Sequence, residues 1–261
     1  MERIEKIVLV GAGNVATQLA QGFHEHGRKV VQVYSRTDSS ARSLAETLQC
    51  DYTTDLSCIY PGANLYLFSV ADQALADLVK QFPLTNVAVA HTSGSLPLSL
   101  LTKPGLRAGV FYPLQTFSKK RKPDFSAIPF FLESNDPDLL ASLHELAGTL
   151  SNDVRHIDSA QREIIHIAAV FACNFTNHLF SIADELLESN HISFDILHPL
   201  IRETIEKALA SKPATVQTGP AVRNDRQIIE KHINALSTLP GYQIIYNFIS
   251  QSITEKNKIK S

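Results

Sequence analysis

Three small residues, Gly11, Gly13 and Ala16, follow a short apolar run with the spacing GxGxxA. Between a strand and a helix, this spacing permits a tight turn, lets the backbone approach a pyrophosphate and allows close helix packing. The free amides at the start of the helix, around Asn14 and Val15, can then face phosphate oxygens. We therefore predict that Gly11, Gly13, Asn14 and Val15 bind a dinucleotide. The alternative is a tight structural turn that binds nothing.

The end of the second predicted strand indicates which dinucleotide is preferred. Ser35, Arg36 and Thr37 stand there, and no carboxylate occurs before Asp38. An acidic side chain would accept hydrogen bonds from the ribose 2′-hydroxyl of NAD, whereas a guanidinium and two hydroxyls suit a 2′-phosphate. The sequence therefore favours NADP. The alternative is a solvated arginine in a polar turn.

Two further strand ends are expected to border the ribose and the nicotinamide, because ligands of such sheets lie outside the carboxyl ends of the strands. One strand ends in "FSVADQAL" and the next in "HTSGSL". The predicted cofactor contacts there are Ser69, Val70, Ala71, His91, Ser93 and Gly94. For His91, a hydrogen-bonded structural role is an equal alternative.

Polar residues interrupt an otherwise apolar helical stretch at His166, Asn174, Asn177 and His178. At about 100° per residue, His166 and Asn177 share a face and Asn174 flanks it. Burying such groups unpaired costs on the order of a few kcal/mol, so they must face polar groups, water or a ligand. We predict that His166 transfers a proton and that Asn174 and Asn177 orient a substrate carbonyl or the nicotinamide carboxamide. Capping of neighbouring helices, or bonding across a dimer interface, is the alternative.

A second polar segment, "QTGPAVRND", precedes another predicted helix. Arg223 can hold a substrate carboxylate or phosphate through its planar fork, although a surface ion pair fits equally well. Asp225 is predicted to be the N-cap of the helix. His232, two turns further on, either joins the site or is exposed.

Metal ligands with a recognisable spacing are absent from the sequence. Cys50, Cys58 and Cys173 form no CxxC pair and leave an odd thiol, which argues against a disulfide framework and a cysteine-rich zinc site. His24 and His26 would lie on different faces of their helix. We predict no bound metal and a reducing, cytoplasmic location.

The overall charge and one basic run bear on the partners of the protein. The formal net charge is −2 in 261 residues, which makes nucleic acid an unfavourable partner. The run "SKKRKP", residues 118–123, is predicted to be a solvated loop, with a phosphate or nucleic-acid site as the minority interpretation. No signal-peptide layout and no run of membrane-spanning length is evident, so no membrane association is expected.

The elements that must position these residues are predicted from hydrophobic periodicity. The first half alternates β-branched runs with amphipathic stretches, which is typical of βαβ units on a parallel sheet. The predicted strands are 6–11, 29–35, 65–70, 86–92, 107–113 and 129–134. Helices are predicted at 14–27, closed by Gly27, and at 39–49, opened by Ser39 or Ser40.

The pattern changes near Asp158. Residues 159–190 read as one long helix, which is almost wholly apolar between 164 and 175 and is therefore expected to be buried on nearly every side. Further helices are predicted at 193–211, 225–239 and 241–255, and residues 255–261 as a frayed helix end. We predict an α/β domain with a doubly wound, mostly parallel sheet over 1–158, followed by an all-helical domain over 159–261.

Five segments in order resemble one family over nearly the whole chain. They are "GAGNVA", "HTSGSLP", "GVFYPLQTFS", "HIAAVFACNFTNHL" and "QTGPAVRND". They resemble an uncharacterised bacterial family with a Rossmann-like N-terminal domain and a helical C-terminal domain of unknown function. Its layout is similar to that of pyrroline-5-carboxylate reductase, deazaflavin-dependent NADP oxidoreductases and 3-hydroxyacid dehydrogenases. The resemblance implies an NADP-dependent oxidoreductase that is a homodimer through the helical domain.

One departure limits what the resemblance implies. The 3-hydroxyacid dehydrogenases use a lysine on the long interdomain helix as proton donor or acceptor, and no lysine occurs between Ser159 and Asn190. That acid–base mechanism cannot be transferred. We expect an oxidoreductase that acts on a small metabolite in an interdomain cleft, with Arg223 anchoring an acid group. A non-catalytic NADP-binding sensor or scaffold is the alternative.

Overall fold

The computed structural model describes residues 3–258. The chain forms two compact units, Met1–Cys173 and Asn174–Ser261. The sequence places the division after residue 158, whereas residues 159–173 belong to the first unit in the structure. Buried polar contacts from Arg162 to Glu133 and from His166 to Tyr112 account for this difference.

The first unit is built on an eight-stranded sheet with the order β3-β2-β1-β4-β5-β6-β7-β8. All neighbouring pairs are parallel except β6 and β7, which are antiparallel. The strands are β1 (Lys6–Val10), β2 (Lys29–Tyr34), β3 (Asp51–Thr53), β4 (Leu65–Phe68), β5 (Val87–His91), β6 (Leu106–Pro113), β7 (Phe130–Ser134) and β8 (Val154–His156). The predicted doubly wound, mostly parallel sheet is confirmed.

Five α-helices belong to the first unit. They are α1 (Asn14–Glu25), α2 (Asp38–Leu48), α3 (Asp72–Gln81), α4 (Pro137–Leu150) and α5 (Ser159–Ala169). Gly27 follows the C-cap of α1 with a φ of +72°, as its predicted closing role requires. The predicted N-cap of α2 is wrong: Thr37 occupies that position, and its carbonyl accepts hydrogen bonds from the amides of Ser40 and Ala41.

Both faces of the sheet are covered, as a parallel sheet requires. Along β1, Ile7 and Leu9 point into one apolar cluster, and Val8 and Val10 point into the other. This alternation explains why the strand is apolar at every position. The carboxyl ends of the strands, where the loops carry polar residues, are left to form a site.

The predicted long helix 159–190 is interrupted. Helix α5 ends at Ala169, a π-helical segment spans Val170–Phe175, and α6 covers Thr176–Glu188. Each residue of a π-turn rotates the chain by less than the 100° of an α-helix. The alignment of His166 with Asn177 on one face, which assumes an uninterrupted α-helix, is therefore wrong.

The expected burial of this stretch is also wrong. Ile164 is 66 % exposed and Phe171 is 65 % exposed in the single chain. The expectation that no run reaches membrane-spanning length is corrected here: by length and composition alone Ser159–Glu188 is long and apolar enough to cross a membrane, since its most apolar 18 residues have a mean hydropathy of 1.3 and none of them is buried. A single such helix is weak evidence, since apolar helices of soluble proteins pass the same test.

The second unit is mainly helical in its described residues. Besides α6 it contains α7 (His198–Ala210), α8 (Arg226–Ala235) and α9 (Pro240–Lys258), with 3-10 turns at Phe194–Leu197 and Pro213–Thr215 in the connections before and after α7. Asp225 caps α8 as predicted, because its carboxylate accepts a hydrogen bond from the amide of Ile228 at 3.3 Å. The last three residues of the predicted frayed end, 259–261, lie outside the described residues.

Candidate functional site

The glycine loop joins β1 to α1. In the sheet β1 lies between β2 and β4, so the strand order runs in opposite directions from β1, and ligands of such sheets bind at this point. Gly11 has a φ of +126°, and a Cβ atom there would lie 2.1 Å from the carbonyl oxygen of Ser69. The amide of Gly11 donates a hydrogen bond to the carbonyl of Tyr34 at 2.8 Å. Only glycine fits at position 11, because conformation and space both exclude a side chain.

Gly13 is different, since a Cβ atom there would meet nothing within 4 Å. The space beside it is therefore open to a ligand that approaches the backbone. Gly13 is also the N-cap of α1 and has no side chain with which to accept hydrogen bonds from the first-turn amides. Such amides are donors suited to an anion.

A cavity of about 370 Å³ lies beside this loop. Its wall includes eight of the predicted cofactor-binding residues, namely Gly11, Gly13, Ser35, Arg36, Thr37, Ser69, Val70 and Ala71. Five other predicted contacts do not line it: Asn14, Val15, His91, Ser93 and Gly94. They stay predictions for a ligand that extends beyond the cavity.

The two charged side chains that line the cavity, Arg36 and Lys119, are both positive. No carboxylate group lines the cavity. The first carboxylate after β2, that of Asp38, is 3.4 Å from the guanidinium of Arg42 and is not part of the wall. A cavity of this composition suits a ligand that carries phosphate groups.

Lys119 also lines this cavity, although the sequence did not assign it to the cofactor site. It belongs to the basic run at 118–123, which was predicted to be a solvated loop, with a phosphate or nucleic-acid site as the minority interpretation. No periodicity or motif spacing connects that run with the glycine loop about one hundred residues earlier in the chain, so only the fold reveals their proximity.

The ends of β4 and β5 lie next to the loop and are tied to each other. The hydroxyl of Thr92 donates to the hydroxyl of Ser69 at 3.2 Å, and the amide of Ser93 donates to Nδ1 of His91 at 3.1 Å. Burial, together with the nearby Arg162, lowers the pKa of His91 to about 4. His91 is therefore neutral near pH 7 and shapes the loop that follows it.

A pair of titratable side chains lies above this loop. The hydroxyl of Tyr112, near the end of β6, is 3.2 Å from Nδ1 of His166 on α5. Burial raises the pKa of Tyr112. A Cβ atom on Gly94 would come within 2.7 Å of the same nitrogen, so the loop passes directly beneath the pair. Tyr112 was not predicted, although it lies in the "GVFYPLQTFS" segment that carries the family resemblance.

A buried charge network holds α5 against the sheet. Arg162 is 1 % exposed, and its guanidinium donates to the carboxylate of Glu133 at 2.5 Å and to the carbonyl of Leu96 at 2.7 Å. The hydroxyl of Ser159 donates to the same carboxylate at 2.8 Å. Because His166 lies one turn beyond Arg162, this network fixes its position.

The remaining predicted catalytic residues belong to the second unit. Asn174, Asn177 and Arg223 are all exposed there, with Arg223 in the turn before α8. The structure does not bring them together with His166 in one compact unit, and their roles stay predictions, as does a substrate position between the domains. His232 lies 2.7 Å from the hydroxyl of Tyr246 within the same unit.

No group of three or more histidine, cysteine, aspartate or glutamate side chains within residues 3–258 is arranged to hold a metal ion.

Two family models match the chain. Residues 6–90 match the family "NADP oxidoreductase coenzyme F420-dependent", and residues 128–253 match the domain of unknown function DUF2520. No curated protein matches the chain significantly in sequence.

Solved structures match nearly the whole chain. A candidate NADP oxidoreductase from Bacteroides fragilis is 45% identical, with a TM-score of 0.91 over 97% of this chain and 98% of that one. A protein from Thermotoga maritima is 21% identical, with a TM-score of 0.70 over 97% and 99%. A 1-pyrroline-5-carboxylate reductase from Streptococcus pyogenes is 14% identical, with a TM-score of 0.61 over 96% and 98%. The last two show similarity of fold alone.

Proposed function

The chain belongs to the family in which an NADP oxidoreductase domain of the coenzyme F420-dependent type precedes DUF2520, and we propose that it is an NADP-dependent oxidoreductase. The observation that carries the proposal is the cavity in which the glycine loop and Arg36 share a wall without any carboxylate. A 2′-phosphate would gain a guanidinium partner there and meet no like charge.

The residues present fit a dinucleotide. Gly13 leaves the loop backbone open, and the first amides of α1 can donate to phosphate oxygens. Four strand spacings separate β2, which ends beside Arg36, from β6, which carries Tyr112, or about 19 Å in all. An extended dinucleotide can span that distance, and when bound it would supply the hydride for a reduction.

In the reaction the protein would supply a proton and hold the proton donors in position. In this proposal, Tyr112 and His166 deliver a proton to a substrate with a polarised C=O or C=N bond. The Arg162–Glu133 contact keeps α5, and with it His166, in place. His91 is uncharged near neutral pH and serves as a positioning residue for the loop at Gly94.

The substrate contacts from the second unit are also proposals. Asn174 and Asn177 would orient the reactants, and Arg223 would bind an acidic group of the substrate through its planar guanidinium. Arg223 is exposed and has no ion-pair partner among residues 3–258, which leaves its charge available for a ligand. The substrate class that follows is a small molecule with a carboxylate or phosphate group.

The sensor is an alternative because the long helix lacks the lysine that serves as proton donor in the 3-hydroxyacid dehydrogenases. In the proposed enzyme the Tyr112–His166 pair at the end of β6 takes that role, so no lysine is needed. The proposed function is therefore the oxidoreductase and not the sensor.

The test uses Gly13→Val, because a Cβ atom at position 13 would meet no protein atom within 4 Å, which leaves room for the side chain outside the fold. We expect the wild type to bind NADPH and to consume it with at least one member of a panel of carbonyl and imine acids. Gly13→Val should lose both properties at an unchanged melting temperature. Binding of NADPH by the variant at wild-type strength would overturn the proposed cofactor site.

We also propose a homodimer through the helical unit. Large apolar side chains of that unit are exposed in the single chain, including Leu209 at 83 % and Phe248 at 72 %. Monomeric proteins seldom expose such groups in number, and a second copy of the same surface would cover them. Ile244 and Phe248 lie one turn apart on α9 and therefore share a face.

Sedimentation at micromolar concentration tests the dimer. We expect the wild type to sediment as a dimer and Ile244→Glu/Phe248→Glu to sediment as a folded monomer. Gln81→Glu, an exposed substitution in the first unit, is the matched control and should remain dimeric. A monomeric wild type would overturn the proposal. The cytoplasmic location stays a prediction.

A further inference from the structure

The basic run at 118–123 is a short hairpin whose four cations lie in different surroundings. Ser118 and Arg121 pair through an isolated antiparallel bridge, so Lys119 and Lys120 form the tip. Lys119 lines the cavity beside the glycine loop, whereas Arg121 lines a different one. Lys122 is bound to Glu25 at 2.6 Å. Of these four cations, Lys119 is the one that faces the proposed cofactor site.

The hairpin is anchored to α1, the helix that starts at the glycine loop. The side-chain amide of Gln18 donates to the carbonyl of Ser118 at 2.6 Å, and Gln18 itself is 1 % exposed. The Lys122–Glu25 ion pair ties the other arm to the end of the same helix. Because Gln18 lies little more than one turn from Gly13, Lys119 is held near the loop by two contacts at its flanks.

The charge of Lys119 is available to a ligand. It forms no ion pair with any residue in the described part of the chain, and neither does Arg36. Two cations thus share a wall that lacks a carboxylate, beside the positive end of α1. Both side chains are exposed, so each charge can reach an anion without competition from a carboxylate of the wall.

We propose that Lys119 is a second phosphate-binding cation of the cofactor site, brought to it by the hairpin and acting together with Arg36. This inference rests on the proposed NADP-binding function. The group bound is a phosphate, either the 2′-phosphate or the diphosphate of the dinucleotide. In both cases Lys119 reaches the cofactor from a segment that follows β6, far in sequence from the glycine loop.

The experiment compares NADPH and NADH binding by wild type, Lys119→Ala, Lys119→Arg and the matched control Lys120→Ala, by fluorescence titration at low ionic strength. We expect Lys119→Ala to weaken NADPH binding about tenfold, as loss of a charge-assisted hydrogen bond would. Lys119→Arg should retain most of the affinity, and Lys120→Ala should stay within about twofold of wild type. The dependence of NADPH affinity on salt should be shallower for Lys119→Ala.

The two phosphate sources give different patterns, and both support the inference. A loss confined to NADPH identifies the 2′-phosphate, whereas equal losses for NADPH and NADH identify the diphosphate. Wild-type NADPH affinity in Lys119→Ala, or an equal loss in Lys120→Ala, overturns the role of Lys119 while leaving the proposed function intact. If the wild type binds neither dinucleotide, the proposed function itself fails.

Discussion

The hydroxyl of Tyr112 lies 3.2 Å from Nδ1 of His166, and the backbone of Gly94 passes close to both. One partner comes from β6, an interior strand of the sheet, and the other from α5, the first helix after β8. Their contact places a titratable pair at the carboxyl ends of the strands, where ligands of this fold class bind.

Removing either member of the pair should impair turnover more than cofactor binding. For His166→Ala and Tyr112→Phe we expect kcat to fall by about 10²-fold or more, which is the usual contribution of a positioned acid or base. The dissociation constant for NADPH should change by less than about twofold. Steady-state kinetics and a binding titration give both quantities. Full turnover in His166→Ala would exclude it from the mechanism.

Gly94→Ala should disturb the same pair without touching the glycine loop. The added Cβ would lie 2.7 Å from Nδ1 of His166 and 2.8 Å from the Tyr112 hydroxyl, so one of these groups must move. We expect a clear loss of turnover. The matched control is Gly148→Ala on α4, where a Cβ meets nothing within 4 Å and should stabilise the helix by about 0.5–1 kcal/mol. Unchanged kinetics in Gly94→Ala would contradict the geometry.

Stability should depend on pH through His91. Its pKa is lowered from 6.5 to about 4 by burial and by Arg162, so the unfolded chain binds more protons than the folded chain between these values. Stability is therefore complete above pH 6.5 and decreases as the pH falls towards 4, by about 3 kcal/mol for a shift of this size. Denaturant unfolding across this pH range measures the slope. His91→Asn cannot titrate and should flatten it; an unchanged slope would refute the assignment.

Arg162 should be far more important for stability than an exposed arginine with similar contacts. Arg162→Met leaves the carboxylate of Glu133 without its buried partner, which we expect to cost about 3–5 kcal/mol. Arg155→Met removes a similar contact to Asp153, but on the surface, where solvent screens the pair, and should leave stability nearly unchanged. Chemical denaturation of both variants compares the costs. Equal costs would show that the buried network does not secure α5.

Much of the sheet could be predicted from sequence because its strands are apolar on both faces and end at polar loops. All six predicted strands are present within one or two residues of their expected bounds. The edge strands β3 and β8 escaped prediction because three residues are too few to show periodicity. The prediction that residues 159–190 are buried was wrong, because a helix that is apolar in sequence can still be exposed in a single chain.

The site could be predicted only where a local motif marks it. The GxGxxA spacing and Arg36 are local signals, and the structure places them on one cavity wall. Tyr112 carries no such signal, and the basic run that contains Lys119 indicated a phosphate site only as a minority interpretation, because both residues reach the site through long-range packing. Arg162 reads in sequence as an ordinary charged position of a helix, and only its burial shows that it fixes α5.

NADP binding at the glycine loop is tested by titrating the wild type and Arg36→Ala with NADPH and NADH in parallel. Arg42→Ala is the control, since Arg42 lies on α2 and does not line the cavity. We expect the wild type to prefer NADPH, Arg36→Ala to lose that preference while retaining NADH binding, and Arg42→Ala to behave as wild type. Binding of neither dinucleotide by the wild type would contradict the proposed cofactor site.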